Sequence, residues 1–145
     1  MTSFEYQTFA DGIPAIPILS VRLFQPGQPT SAQFECASIL DTGSDCTLLP
    51  LPVLVKAKGQ PIHRMTWIPV CGMEVLAIPI IVGLVFAQHE LLSVRVYGCA
   101  VEEIGETGLM GQDILNRFQI EFDGLALTFH VRKVSPLPTP VDTPS

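Results

Sequence analysis

The sequence has few charged residues. Lys, Arg, Asp and Glu make up 15% of its 145 residues, whereas hydrophobic residues make up 48%. An average soluble domain has roughly 25% charged residues. A domain of this size with so little charge leaves apolar area on its surface. That favours burial against a partner, most commonly a second copy of the same chain. The length suits one domain with a core of its own.

Basic residues are the scarcer kind of charge. The chain has 8 Lys and Arg against 14 Asp and Glu, which gives a formal net charge of -6. Proteins that bind nucleic acid carry a basic patch or stripe. Binding to nucleic acid is therefore not expected.

Paired cysteines are missing as well. Cys36, Cys46, Cys71 and Cys99 stand singly, with no CxxC pair and no Cys/His ligand spacing. Disulfides are found mainly in secreted chains, so this pattern favours reduced thiols, although one disulfide between two of them stays open.

Targeting and membrane segments are not apparent. The first basic residue is Arg22, so the sequence does not start with the charged region of a signal peptide. The longest apolar run, residues 76–86, contains Pro79 and Gly83 and is too short to cross a bilayer. We expect a cytoplasmic protein without a membrane partner.

The patterns that are present are mostly those of β-strands. Residues 32–41 alternate, with apolar side chains on one face and Glu35 and Ala37 on the other. Residues 63–85 are typical of two strands around a turn near Cys71-Gly72. Residues 120–131 alternate around Asp123-Gly124, which predicts a hairpin with a tight two-residue turn.

A single segment has a helical pattern. In residues 112–118, Ile114, Leu115 and Phe118 share one face. The last residues, 135–145, are rich in proline and indicate a disordered tail. The sequence therefore predicts one domain, residues 1–134, followed by this tail.

An acidic loop follows the 32–41 strand. Leu40 leads into Asp41, Thr42 and Gly43, and Ser44 follows. Asp, Thr, Gly and Ser all favour turns, so these residues alone also fit an ordinary turn between strands. Gly43 lets the backbone turn tightly or come close to another chain.

With its flanks, 38–50, this loop resembles the active-site loop of aspartic proteases. A second segment, Gly108–Phe118, is similar to the apolar-apolar-Gly motif and short C-terminal helix of retropepsin-like enzymes. The resemblance covers roughly residues 15–132. It implies an all-β fold, a closed β-barrel or sandwich with a flap hairpin and one short C-terminal helix. One position departs from the family pattern: Gln112 stands where many members have Arg, which leaves Asp45 without that partner unless Arg117 or Arg22 substitutes.

The resemblance implies an aspartic endopeptidase that acts as a homodimer. Two carboxylates activate one water in this chemistry, and the sequence has one such loop, so Asp41 of each chain would form the dyad. Thr42 would bond across the two-fold axis, and Gly43 would allow close approach. The flap would be Trp67–Met73, closing over a peptide or protein substrate. No metal and no organic cofactor is implied.

The same resemblance implies a set of residues that line the substrate channel. Ser44 is expected to donate a hydrogen bond to the Asp41 carboxylate, and Asp45 to bind peptide backbone. The implied substrate-binding residues are Ser44, Asp45, Cys46, Val70, Cys71, Gly72, Met73 and Met110.

Other interpretations stay open at this point. Asp45 could cap the following turn, and Trp67 and Met73 could be ordinary core or interface residues. Cys46 could suggest a thiol protease, but that mechanism needs a positioned base, and the three histidines carry no local signature for one or for a metal site. A non-enzymatic alternative is a catalytically silent module of the same fold, kept for dimerisation or peptide binding.

Overall fold

The computed structural model describes residues 2–70 and 72–133. Cys71 and the predicted tail, 135–145, lie outside these residues, so the domain boundary at 134 stays a prediction. The elements, in chain order, are β1 (Thr2–Glu5), β2 (Ile18–Phe24), β3 (Phe34–Leu40), β4 (Leu48–Pro50), α1 (Leu51–Lys56), β5 (Gln60–Pro61), β6 (Thr66–Val70), β7 (Met73–Phe86), β8 (His89–Cys99), α2 (Val101–Ile104), β9 (Gly108–Met110), α3 (Gln112–Leu115), β10 (Phe118–Asp123) and β11 (Thr128–Lys133).

Six strands close into a barrel. Their order is β2-β3-β9-β4-β8-β7, and β7 pairs with β2 again through Arg22↔Val85 and Leu23↔Leu84. β5 and β6 pair with β7 outside this ring. The all-β prediction is confirmed. Most neighbours are antiparallel, but β3 runs parallel to β9 and β4 runs parallel to β8.

The barrel interior is the main hydrophobic core. The alternation predicted for the strand at 32–41 is confirmed in β3, where Cys36 and Leu40 are buried while Glu35 and Ala37 are exposed. Burying one Leu or Phe side chain contributes about 1.5–3 kcal/mol, so the barrel is a rigid support for loops at its ends. The largest fully buried side chains are Phe24, Phe86, Phe129, Leu23, Leu48, Leu49, Leu54, Leu84, Met110 and Ile114.

A second sheet has three strands, in the order β1-β11-β10. Its β10–β11 hairpin is the one predicted at 120–131, but the predicted two-residue turn is wrong. Asp123 still pairs with Thr128, and its Oδ1 accepts hydrogen bonds from the backbone N–H groups of Leu125 and Ala126 at 3.1 Å each. The positive φ falls at Leu127, not at Gly124. These local bonds favour a four-residue connection over the tight turn.

The helices also differ from the prediction. The expected helix at 112–118 ends at Leu115, because Phe118 begins β10 and pairs with Lys133. Two further helices, α1 and α2, have six and four residues. Segments this short show no 3.6-residue periodicity. Among the described residues, no helix is long and apolar enough to cross a membrane.

Candidate active site

The acidic loop leaves the barrel where two parallel strands end side by side. β3 and β9 pair through Leu40↔Met110, and the next residue, Asp41, donates its backbone N–H to the Met110 carbonyl at 2.9 Å. Asp41 is half-buried, and Thr42 and Gly43 are exposed. The sheet therefore fixes the backbone position of Asp41. The loop after it is open to a ligand or another chain.

A local turn orients the carboxylate. The Gly43 N–H donates to Asp41 Oδ1 at 2.9 Å, and the Ser44 N–H donates to the Asp41 carbonyl at 3.1 Å. A Cβ on residue 43 would lie 3.3 Å from the same carboxylate oxygen. Gly43 therefore leaves room beside Asp41, while its close approach to another chain stays a prediction.

Ser44 is not where the sequence suggested. Its side chain is buried, with 4% exposed, and its hydroxyl donates to the Cys46 carbonyl at 2.8 Å. A serine hydroxyl has one proton, so it does not also donate to Asp41. The expected bond to the carboxylate is wrong, and Ser44 instead stabilises the turn that leads into Cys46.

A buried polar network behind the loop was missed by the sequence analysis. Thr47 is fully buried, and its hydroxyl donates to Asp113 Oδ1 at 2.6 Å and accepts from the Gly111 N–H at 3.0 Å. The Thr47 N–H donates to Asp113 Oδ2 at 3.1 Å. The sequence does show a Thr close to the acidic loop and an Asp in the second motif. It does not show that these two side chains meet in the fold.

Gly111 completes the junction between the two motifs. A Cβ at this position would lie 2.3 Å from the Cys46 carbonyl oxygen and 2.5 Å from its carbon. The backbones therefore touch directly, which requires glycine. This contact explains why the apolar-apolar-Gly segment and the acidic loop occur together.

Gln112, which stands where the resemblance would place Arg, binds the acidic loop itself. Its Nε2 donates to the Thr42 carbonyl at 2.6 Å, and its backbone N–H donates to the Ser44 carbonyl at 2.8 Å. Arg117, one suggested partner for Asp45, instead donates through Nε to the Asp113 carbonyl. Arg22, the other suggested partner, lies in β2, where it is opposite Glu35 of β3 in the strand register.

The predicted flap is a two-stranded hairpin formed by β6 and the start of β7. Val70 pairs with Met73 across the turn, and Gly72 has φ +79° with open space around it. Alternate residues face inward, where Ile68, Val70 and Val75 pack with Leu48, Cys99, Leu109 and their neighbours. Trp67 and Met73 are 59% and 71% exposed, so neither is a core residue of the single chain.

Two solved structures resemble this fold. The protease of EIAV, solved with the inhibitor HBY-793, aligns with a TM-score of 0.52 and 17% identity over 74% of this chain and 92% of that chain. A retropepsin-like aspartic protease from Rickettsia conorii aligns with a TM-score of 0.57 and 16% identity over 88% of this chain and 89% of that one. The chain has a retropepsin-like fold. No family model and no curated protein matches the sequence, so the likeness lies in the fold.

Within the retropepsin-like fold, the two residues before Gly111 face opposite ways. Met110 is fully buried in the barrel core, and its sulfur lies 3.7 Å from the Thr47 hydroxyl. Its side chain has no surface open to a ligand. Leu109 is half-buried in the apolar cluster under the flap. Leu109 therefore faces the flap residues, whereas Met110, which the sequence analysis gave as substrate-binding, faces the core.

A groove of about 280 Å³ lies between the flap strand β6 and the segment after the acidic loop. Its lining residues are Asp45, Cys46, Ile68, Pro69, Arg95, Tyr97 and Asp113. Of these, sequence analysis named Asp45 and Cys46. Ile68, Arg95 and Tyr97 went unnoticed because nothing local marks a strand residue as part of a cleft.

The thiol of Cys46 is not set up as a nucleophile. Burial raises its pKa, the carboxylates of Asp113 and Asp45 raise it further, and only the Arg95 guanidinium opposes them. Burial also raises the pKa of Cys99 to about 11. A reactive cysteine needs a lowered pKa, so this environment disfavours a thiol protease. The described residues contain no group of three or more His, Cys, Asp or Glu side chains that could hold a metal ion.

Proposed function

We propose that the chain is an aspartic endopeptidase that acts as a homodimer and cleaves extended peptides. The observation that carries the proposal is the Asp41 carboxylate. It stands at the end of two parallel strands, is oriented by the Gly43 N–H, and lies on a loop that Gln112 binds from behind. The flap and the groove beside this loop offer room for a peptide strand.

The chemistry requires a second carboxylate. One ionised carboxylate takes a proton from water while its protonated partner donates to the substrate carbonyl. The chain has one Asp-Thr-Gly sequence. The second Asp41 would come from a second copy across a two-fold axis. Retropepsin-like proteins are generally dimeric.

The three-stranded sheet offers a surface for that second copy. β1 and β10 are its outer strands among the described elements, and such strands have backbone groups free to pair with another chain. Three exposed apolar side chains, Phe122, Leu125 and Leu127, lie at one end of the same sheet. Burying them against a partner would account for part of the apolar surplus in the composition. We also propose a cytoplasmic location.

Replacing Asp41 by Asn tests the activity. The Asn Oδ1 still accepts the Gly43 N–H, so the turn and fold are expected to persist. Cleavage of an unfolded protein or peptide between about pH 3 and 7 should fall by at least about a hundredfold, since general acid–base groups contribute that much or more. Glu35→Gln is the control, because Glu35 is exposed near the start of β3, at the other end of the strand from Asp41. Equal turnover by Asp41→Asn and wild type would refute the proposal.

A silent dimerisation or peptide-binding module is the alternative, and the same experiment separates the two. Such a module would bind peptide without cleaving it. An enzyme should show a bell-shaped dependence of rate on pH, because the carboxylate pair is active while it shares one proton.

A further inference from the structure

One strand brings a cation and an aromatic ring to the groove beside the acidic loop. Arg95 and Tyr97 are two residues apart in β8, so their side chains lie on the same face. The Tyr97 N–H donates to the Thr47 carbonyl at 2.9 Å. This bond fixes β8 next to the segment that runs from Asp41 through Cys46.

The guanidinium of Arg95 lies near the ring of Tyr97. Its Cζ lies 5.5 Å from the centroid of the Tyr97 ring. Arg95 is exposed, and no carboxylate of the described residues lies within 4.0 Å of its nitrogens. A planar guanidinium stacked on an aromatic ring keeps its fork of N–H donors available for a carboxylate.

The two acidic residues that line the groove, Asp113 and Asp45, differ in hydrogen bonding and exposure. The Asp113 carboxylate accepts from the Thr47 hydroxyl, the Thr47 N–H and the Ile114 N–H, so its oxygens are already bonded inside the protein. Asp45 is exposed and is the residue expected to bind peptide backbone. Among the described residues that line this groove, Arg95 is the only basic one, in a chain whose net charge is -6.

We propose that Arg95 determines specificity by binding an acidic side chain of the substrate, at a position removed from the scissile bond. This inference rests on the proposed function and names the substrate class for it. Because Asp41 is not among the residues that line this groove, the acidic residue is expected outside the two that flank the cut. In a two-fold dimer the groove occurs twice, so one favoured position is expected on each side.

Peptide binding tests the inference without requiring cleavage. A peptide set in which Glu is moved along the chain, each paired with the Gln version, is titrated against Asp41→Asn protein by fluorescence anisotropy. We expect Glu to bind roughly two- to fivefold more tightly than Gln at the favoured position, since an ion pair open to water contributes up to about a factor of five. Higher salt should remove the preference.

Charge variants in the same background identify the group responsible. Arg95→Gln should abolish the preference, Arg95→Lys should keep part of it, and Arg95→Glu should favour a Lys peptide instead. Arg22→Gln is the control, because Arg22 is exposed in β2 and does not line the groove. In wild-type enzyme, kcat/KM for the Glu and Gln peptides should follow the same ratio.

The results separate failure of this inference from failure of the proposed function. Equal weakening of Glu and Gln peptides by Arg95→Gln would mean that Arg95 only shapes the groove, and this overturns the inference even if cleavage is normal. If wild type cleaves no peptide, yet the Glu preference and its reversal by Arg95→Glu are found, the inference about ligand class holds and the endopeptidase proposal fails.

Discussion

At the scale of single residues, the acidic loop is held in place by side chains of the barrel end on which it lies. Asp41 itself has one bonded carboxylate oxygen, Oδ1, but the loop that carries it is bound by Gln112 and rests on the Thr47–Asp113 network. A hydrogen bond to a charged group contributes more than a neutral one. Through this network, the buried Thr47 hydroxyl therefore supports the position of the Asp41 carboxylate without touching a substrate.

Replacing Thr47 by Val should destabilise the fold. The shapes are similar, but the Gly111 N–H loses its acceptor and the Asp113 carboxylate loses its hydroxyl donor. Leaving such groups unsatisfied costs about 1–3 kcal/mol, which urea unfolding would measure as a lower midpoint. Thr30→Val, at an exposed position, should change stability by less than about 0.5 kcal/mol. Equal midpoints for Thr47→Val and Thr30→Val would show that the network is not needed.

The roles of single residues were harder to predict from the sequence than the strands or the fold. The resemblance of the loop around Asp41 implied the catalytic position, which stays a prediction, because the turn preferences of Asp, Thr and Gly alone also fit an ordinary turn. The hydroxyl of Ser44 could not be assigned, since the Cys46 carbonyl that it binds is closer in sequence than Asp41, and both lie within reach of a local hydrogen bond. Met110 and Leu109 are adjacent and apolar. Which of them faces the cleft depends on the parallel pairing of β3 with β9, which sequence does not give.

At the scale of elements, alternation predicted the strands and hairpins well. β3 and the β10–β11 hairpin lie where apolar and polar residues alternate, and the β6–β7 hairpin lies where two apolar strands were predicted around a turn. The short helices α1 and α2 have too few turns to show a period. The turn at 124–127 was misplaced because Asp123 bonds forward to two backbone N–H groups, which overrides the preference of Asp-Gly for a tight turn.

In the proposed endopeptidase, the β6–β7 hairpin is the element that is expected to move. Gly72 has φ +79° and no heavy atom within 4 Å of an added Cβ. Gly72→Val should cost about 1–2 kcal/mol of stability from backbone conformation alone. It should also lower kcat/KM, since the tip must close over the peptide.

Gly27→Val is the matched control for the flap. Gly27 has φ +71° and equally open surroundings, but its turn follows β2, away from the cleft. The two variants should lose similar stability, and only Gly72→Val should lose kcat/KM. Equal kinetic loss in both would trace the effect to stability and contradict a role for the tip in closure.

At the scale of the whole molecule, the composition and the single motif lead to the same proposal. Few charges and a surplus of apolar residues predict a buried partner, and one acidic loop per chain predicts that the partner supplies the second carboxylate. The barrel could be inferred from sequence. The surfaces that would join two barrels could not, because they depend on which strands, here β1 and β10, end at a sheet edge.

The most direct measurement is the activity of mixed subunits. A fixed amount of wild-type chain is equilibrated with increasing amounts of Asp41→Asn chain, and peptide cleavage is followed. If each site needs Asp41 from both chains, an equal amount of variant leaves roughly half of the wild-type chains with a wild-type partner, and excess suppresses activity further. Glu35→Gln chains added in the same amounts should not suppress it. Activity that stays proportional to wild-type chain, whatever the amount of Asp41→Asn, would contradict a dyad shared between two chains.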